Sequence, residues 1–286
     1  LICLRNMDRP VGTAIYGALL NERGTYHSDV TMHRIAQDHY RLFTGTEAIR
    51  RDLDWLARHV GGFDVAISDS TEEFAVLGLM GPQAGRIAAQ TGAPELNQMR
   101  YFDVAPAHIA GKHVRAARMS YVGEAGWELT CKSENVRAIY EALRQAGASP
   151  AGLYAQTSMR IEKGFAAMGH ELDSDLGPVE AGMAGMARPG GGFIGAGALE
   201  ARRKTAKRSL VTLLLDDVEA VPIGHEPIWH QDRIIGQTTS AAFGHRIARP
   251  VALAHVSDAR DGARVEINIA GEMFAARMQF SAAFDP

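Results

Sequence analysis

Apolar and polar positions divide the chain into short elements of two kinds. Residues 14–20 are mostly apolar and stop at N-E-R-G (21–24), a turn signal. An alternating run over 29–35 and a short run over 40–44 follow, predicting a strand, a turn and returning strands. Thr46 is placed to cap a helix in which Ile49, Leu53, Leu56 and Val60 recur at helical spacing, ended by G-G at 61–62. Strands are predicted over 64–68 and 74–79, and Gly81-Pro82 is read as a helix start. Runs 104–109 and 113–120 predict a hairpin, and 126–131 a further strand. Ser133 is placed to cap a helix carrying Val136, Ile139, Tyr140 and Leu143, and a second helix is predicted over 158–168. Strands and helices mixed without strict alternation predict an α+β fold rather than a doubly wound sheet.

The texture changes beyond residue 205. Strand-like runs over 210–215, 234–240, 250–256, 265–269 and 273–280 are separated by turn signals such as D-G at 261–262, and no helix of normal length fits. This predicts a small all-β domain, a barrel or compact sandwich, and a division into 1–205 and 206–286. There is no internal repeat.

The 286 residues suit one large domain or two smaller ones, and 46% hydrophobic with 22% charged residues is ordinary for a globular protein. Net charge is −3. The single dense basic run (Arg202, Arg203, Lys204, Lys207, Arg208) is read as a solvated linker, and no broad basic face calls for a nucleic acid. No apolar stretch approaches the ~20 residues that span a bilayer, so no membrane role is expected. Cys3 and Cys131 provide neither a disulfide framework nor a CxxC, which points to a reducing compartment: the cytoplasm, or the mitochondrial matrix in a eukaryote. Residues 1–7 read as the middle of an element rather than a beginning.

Two motifs fail on inspection. Gly190, Gly192 and Gly195 have G-x-G-x-x-G spacing, but Arg188-Pro189 precedes them where a strand is needed and a polar linker is expected to follow, so a flexible loop is the better reading. His225, Glu226 and His230 are one residue too widely spaced for a zinc-protease helix, and Pro227 stands between them. No metal site is expected. There is no G-x-S-x-G elbow and no P-loop.

Four segments occur in an order that carries more information. They are YGALLNERGTYHSDV (16–30), M-G-P-Q-A (80–84), Y-V-G-E-A-G-W-E-L (121–129), and A-G-L (151–153) followed by R-I-E-K-G (160–164) and G-P-V-E-A-G (177–182). Together they resemble the glycine-cleavage T-protein (aminomethyltransferase) family. I-G-Q-T-T-S (235–240) and P-V-A-L-A (250–254) look like the barrel that follows in that family. The resemblance implies a T-protein-like folate-binding α+β domain over 1–205, with a C-terminal β-barrel over 206–286. It also implies that a first strand–helix segment of ~60 residues stands before this sequence in the complete domain. R-I-E-K-G-F and F-G-H-R (243–246) are closer to the folate-binding domains of dimethylglycine and sarcosine dehydrogenases and oxidases, which carry a flavin domain upstream.

The implied function is tetrahydrofolate-dependent transfer of a one-carbon unit, aminomethyl or methylene. The alternatives are the folate domain of a flavin-dependent N-methylglycine dehydrogenase or oxidase, a folate-dependent demethylase, and a folate-binding module without turnover. Tetrahydrofolate is the implied cofactor, with FAD only if an upstream domain exists. The partners are a small-molecule one-carbon donor and either a flavin domain or subunit or a lipoyl carrier protein. Asp29 matches the family's catalytic aspartate, although position alone would make it a turn aspartate. Glu128 matches the pterin-binding glutamate, the other reading being a solvent-facing strand residue. Tyr101 and Tyr121 match aromatic positions around the folate, and otherwise read as core aromatics. Thr44 stands where the family usually has a pterin-side asparagine, a weaker contact. Gln156 replaces an arginine, which favours the dehydrogenase-type relatives. Arg160 and Glu162 are two apart on a helix and share no face, so they read as structural connectors.

Overall fold

The computed structural model describes residues 2–285; Leu1, part of the segment read as the middle of an element, lies outside the described residues. In chain order the elements are β1 (Thr13–Leu20), β2 (Tyr26–Ala36), β3 (His39–Phe43), α1 (Ile49–His59), β4 (Phe74–Met80), α2 (Ala84–Gln90), β5 (Val104–Ile109), β6 (Lys112–Ala117), β7 (Gly126–Lys132), α3 (Val136–Gln145), α4 (Leu153–Glu162) and α5 (Ala196–Thr205). Six strands complete the chain: β8 (Arg208–Leu215), β9 (Pro227–His230), β10 (Arg233–Gly244), β11 (Arg249–Ser257), β12 (Arg264–Ile269) and β13 (Glu272–Gln279). Contacts divide them into two compact units, one of residues 7–17 and 30–151, the other of 1–6, 18–29 and 152–286.

The first, a sheet-and-helix unit, is built on an antiparallel sheet of order β4-β7-β6-β5. Alternation decides its two faces. Trp127, Leu129 and Cys131 of β7 join Val114, Ala116, Ala107 and Ile109 on one face, where Ile87 and Ala88 of α2 and Ile139 and Leu143 of α3 complete the core. Glu128 and Thr130 therefore project from the opposite face. Strand β2 pairs with β3 in this unit, with Thr31 opposite Phe43 and His33 opposite Arg41.

The second, barrel-containing unit holds two cores. Leu4, Ala18, Leu20, Tyr26, Leu172, Phe193 and Leu199 form one. The other fills a closed barrel of order β10-β11-β8-β13-β12-β9, with Leu213, Leu215, Ile228, Val256, Ile267 and Met278 inside. Closure leaves no sheet edge for stray pairing. The α+β fold with its C-terminal barrel stands as expected. No helix among the described residues is long and apolar enough to cross a membrane.

Several local expectations need correction. Thr46 does not cap α1: it lies in a 3-10 turn, the N-cap is Ala48, and no side chain caps the helix. Ser133 likewise sits in a 3-10 turn, where its hydroxyl donates to Glu72 O at 2.8 Å instead of capping α3. Residues 64–68 form no strand and are exposed on both faces; among the described residues no strand pairs with them. Helix α2 begins at Ala84, two residues after Pro82. The helix expected over 158–168 starts earlier, after Gly152, and ends at Glu162 because Gly164 turns the chain at φ +71°. Strand β9 was not foreseen, nor was α5, where a linker was expected. Arg202, Arg203 and Lys204 of the basic run lie in the last turn of α5, where cations suit the carbonyl end of the helix, while Arg208 opens β8. Arg202 also bonds the carboxylate of Glu180.

Candidate functional site

In the sheet-and-helix unit, β7 brings Glu128 opposite Gly78 of β4 and Ala117 of β6. Both neighbours are small. A Cβ built at Gly78 would meet Met80 Cε at 3.3 Å, so the Met80 side chain lies over this glycine. Glu128 is half-buried, and burial pushes its carboxyl above the usual carboxylate range. No described group donates a hydrogen bond to it or forms an ion pair with it. A carboxylate taken partly out of water without donors is costly, and that cost falls if a ligand supplies paired N–H groups.

The two tyrosines come to the same end of this sheet. Tyr101 precedes β5 and Tyr121 follows β6, and Val104, Ala117 and Glu128 stand in one row across β5, β6 and β7. The Tyr101 turn is tied to the β6–β7 connection by Phe102 N donating to Arg118 O at 2.8 Å. Tyr101 is 57% exposed and stands edge-on to Phe102 with ring centroids 4.5 Å apart; Tyr121 is half-buried. Neither is a core aromatic. Thr44, just past β3, donates its hydroxyl to the carboxylate of Asp52, which is buried on α1.

Asp29 belongs to the barrel-containing unit. It follows the N-E-R-G turn, where Asn21 Oδ1 accepts from Arg23 N at 2.9 Å and Thr25 Oγ1 at 3.0 Å. That turn packs against the start of α5: a Cβ on Gly195, which holds φ +79°, would fall 2.3 Å from Asn21 O. Residues 26, 28 and 30 are buried and 27 and 29 half-buried, so Asp29 is on the more open side of β2. Its charge is felt nearby: after burial, Asp29 and then Glu180 push the Tyr26 phenol up.

Two expected connectors do hold elements together. Arg160 donates to Glu171 Oε2 at 2.7 Å, Phe165 O at 3.0 Å and Ser240 Oγ at 2.6 Å. Glu162 accepts from Arg246 N at 2.8 Å and Arg246 Nε at 2.7 Å, tying α4 to the barrel. Gln156 is half-buried on the first half of α4. The Gly190–Gly195 stretch is preceded by irregular turns, not a strand, although a helix does follow it, so the dinucleotide context is still incomplete. Glu226 holds the backbone N–H groups of Ile223 at 2.6 Å and Gly224 at 3.0 Å, while His230 Nδ1 contacts Arg264 O at 2.9 Å, which makes both structural. Sequence reading missed Gly78, whose signal was only the break it makes in the apolar run of β4, and Glu171, whose partners are spread over eighty residues.

Comparison with known sequences decides the family. The profile of the GCVT N-terminal domain matches residues 1–189, and that of the glycine cleavage T-protein C-terminal barrel domain matches residues 208–285. The chain belongs to the glycine cleavage T-protein family. The aminomethyltransferase of Thermus thermophilus is 34% identical over 252 residues, covering 88% of this chain and 71% of that protein. The mitochondrial dimethylglycine dehydrogenase of Homo sapiens is 32% identical over 287 residues, covering 95% of this chain and 33% of that protein. This T-protein family chain thus spans a third of the dehydrogenase. The crystal structure of the glycine cleavage system aminomethyltransferase T from Bartonella henselae superposes with a TM-score of 0.86 at 24% identity, over 96% of this chain and 77% of that one. That likeness is one of fold.

Proposed function

We propose that this chain is an enzyme domain that transfers an aminomethyl or methylene carbon with tetrahydrofolate. Glu128 carries the reading: it is half-buried, raised by burial, flanked by Gly78 and Ala117, and without a donor among the described residues. A pterin ring presents an amino group beside a ring N–H, a pair that a carboxylate accepts better than a neutral side chain. Tyr101 and Tyr121 offer flat surfaces at the same end of the sheet, and Thr44 is the weakest of the proposed contacts. Folate, when bound, supplies the nitrogen nucleophile that carries the carbon. Asp29 is the proposed catalytic carboxylate, favouring positive charge as the C–N bond forms and accepting the proton released. The proposed functional division falls near residue 205, and the proposed compartment is reducing, cytoplasmic or mitochondrial.

A second reading is favoured by one observation. Human dimethylglycine dehydrogenase aligns with 95% of this chain but extends well past it, the match filling 33% of its length. Under that reading the domain receives its carbon from an N-methylglycine oxidised by an upstream or associated flavin domain, and FAD belongs there. Under the first reading the partner is a lipoyl carrier protein. Calorimetry on the purified chain should show tetrahydrofolate binding and no binding of NAD or FAD; FAD binding without folate binding overturns both readings. Turnover is then assayed with aminomethyl and N-methylglycine donors. Asp29→Asn should bind folate normally while turnover falls by ~10²–10⁴-fold, the usual contribution of a general base. Near-wild-type turnover would leave Asp29 as a turn residue.

A further inference from the structure

The face that carries Glu128 continues along β7 to Thr130, whose register partners are Arg115 on β6 and Val76 on β4. His33 and Arg41 are register partners on β2 and β3, and the charge of Arg115 reaches both. Arg41 lies over the ring of Phe74 on β4 at 3.8 Å, and the ring of His33 packs 4.5 Å from that of Phe43. All these residues belong to the sheet-and-helix unit.

The cluster has an unbalanced set of donors and charges. His33 is 0% exposed and Thr130 3%, yet neither ring nitrogen of His33 nor Thr130 Oγ1 has a hydrogen-bond partner. Arg41 and Arg115 are half-buried, and neither forms an ion pair with a described carboxylate. The acid whose charge reaches Arg41 is Glu73, and Glu73 is already paired with Lys132 at 3.0 Å. Glu128, two residues from Thr130, is drawn toward its neutral form by burial alone. Burial, then Arg115, then Arg41 hold His33 neutral, at about 4. Buried polar groups are ordinarily satisfied, and a guanidinium's fork of N–H groups matches carboxylate and phosphate.

We infer that Arg41, Arg115, His33 and Thr130 form an oxyanion-binding site that takes a small carboxylate or a phosphate. The two guanidiniums supply charge and paired N–H groups, the Thr130 hydroxyl donates one further bond, and His33 donates one as the neutral ring or gains a proton beside the bound anion. The site uses none of the residues proposed to contact folate, so its failure and that of the proposed function are separate results.

The test titrates the intact chain with acetate and with inorganic phosphate, by calorimetry and by NMR of the His33 ring, assigned through His33→Gln. Saturable binding of either anion is expected, with acetate or phosphate preference naming the source, and His33 should titrate at higher pH when the anion is bound. Arg115→Gln and Arg41→Gln should each weaken binding by about ten-fold or more, as for loss of a hydrogen bond to a charged group. Thr130→Val, which keeps every charge, should weaken it less. No saturable binding of either anion overturns the site. So does affinity unchanged in Arg41→Gln and Thr130→Val, a pair that keeps the test decisive if Arg115→Gln fails to fold.

Discussion

Glu171 and Glu128 are glutamates in different units with opposite surroundings. Glu171 is fully buried and satisfied: Oε2 accepts from Arg160 at 2.7 Å and Ala167 N at 3.0 Å, and Oε1 accepts from Thr239 Oγ1 at 2.6 Å. Glu128 is half-buried, and nothing described donates to it. A carboxylate whose two oxygens are both held by donors of its own chain is part of the scaffold. One left without donors, at some cost to the fold, is available to a ligand. Burial by itself therefore does not distinguish the scaffold acid from the one proposed to bind a ligand; hydrogen-bond satisfaction is what differs between them.

The comparison breaks most visibly at the scaffold. Arg160→Ala would leave Glu171 charged, buried and short of its cation. Removing one partner of a buried pair costs about 3–5 kcal/mol, the largest effect expected. Chemical denaturation should show that loss at neutral pH. A loss near zero would mean that water or rearrangement satisfies Glu171, and the contrast with Glu128 would fail.

Glu128→Gln tests the other half. If the proposed function holds, the substitution removes charge and one acceptor from a paired contact worth about 1.5–3 kcal/mol. Tetrahydrofolate affinity should then fall by roughly ten- to a hundred-fold, with turnover at saturation changed less. An unchanged dissociation constant removes Glu128 from the site.

Legibility in the sequence followed locality. The apolar face of β7, the hairpin of β5 and β6 and most of the barrel could be read because period-2 alternation is a local signal. Helix α5 could not: A-G-A-L-E-A-R-R-K-T buries Leu199 alone, so it has no apolar stripe and its helix rests on propensity and on the turn packed against its start. Residues 64–68 had the alternation of a strand without the partner a strand requires. Among site residues, Asp29 and Glu128 were reached through resemblance, since neither position differs locally from an ordinary turn or strand acid. His33, Arg41, Arg115 and Thr130 come from four strands, and only the tertiary pairing shows that no described carboxylate forms an ion pair with either arginine.

The smallest expected effect has the most diagnostic sign. Burial raises the folded-state pKa of Glu128 from its ordinary 4.5, so the folded chain holds this proton more tightly than the unfolded one. Below 4.5 both states are protonated and the residue costs nothing. As pH rises through the folded-state value, the carboxyl must ionise in a place that disfavours charge, and stability is lost. Glu128→Gln has no such transition. It should match the wild type in acid and be the more stable protein at neutral pH, by less than either effect above because part of the side chain still meets solvent. Arg160→Ala should be the less stable protein at that same pH. Urea midpoints measured across pH 3.5–7.5 check this directly. A Gln variant less stable than wild type at neutral pH would mean that Glu128 is held by donors after all, and that its likeness to Glu171 is closer than its surroundings indicate.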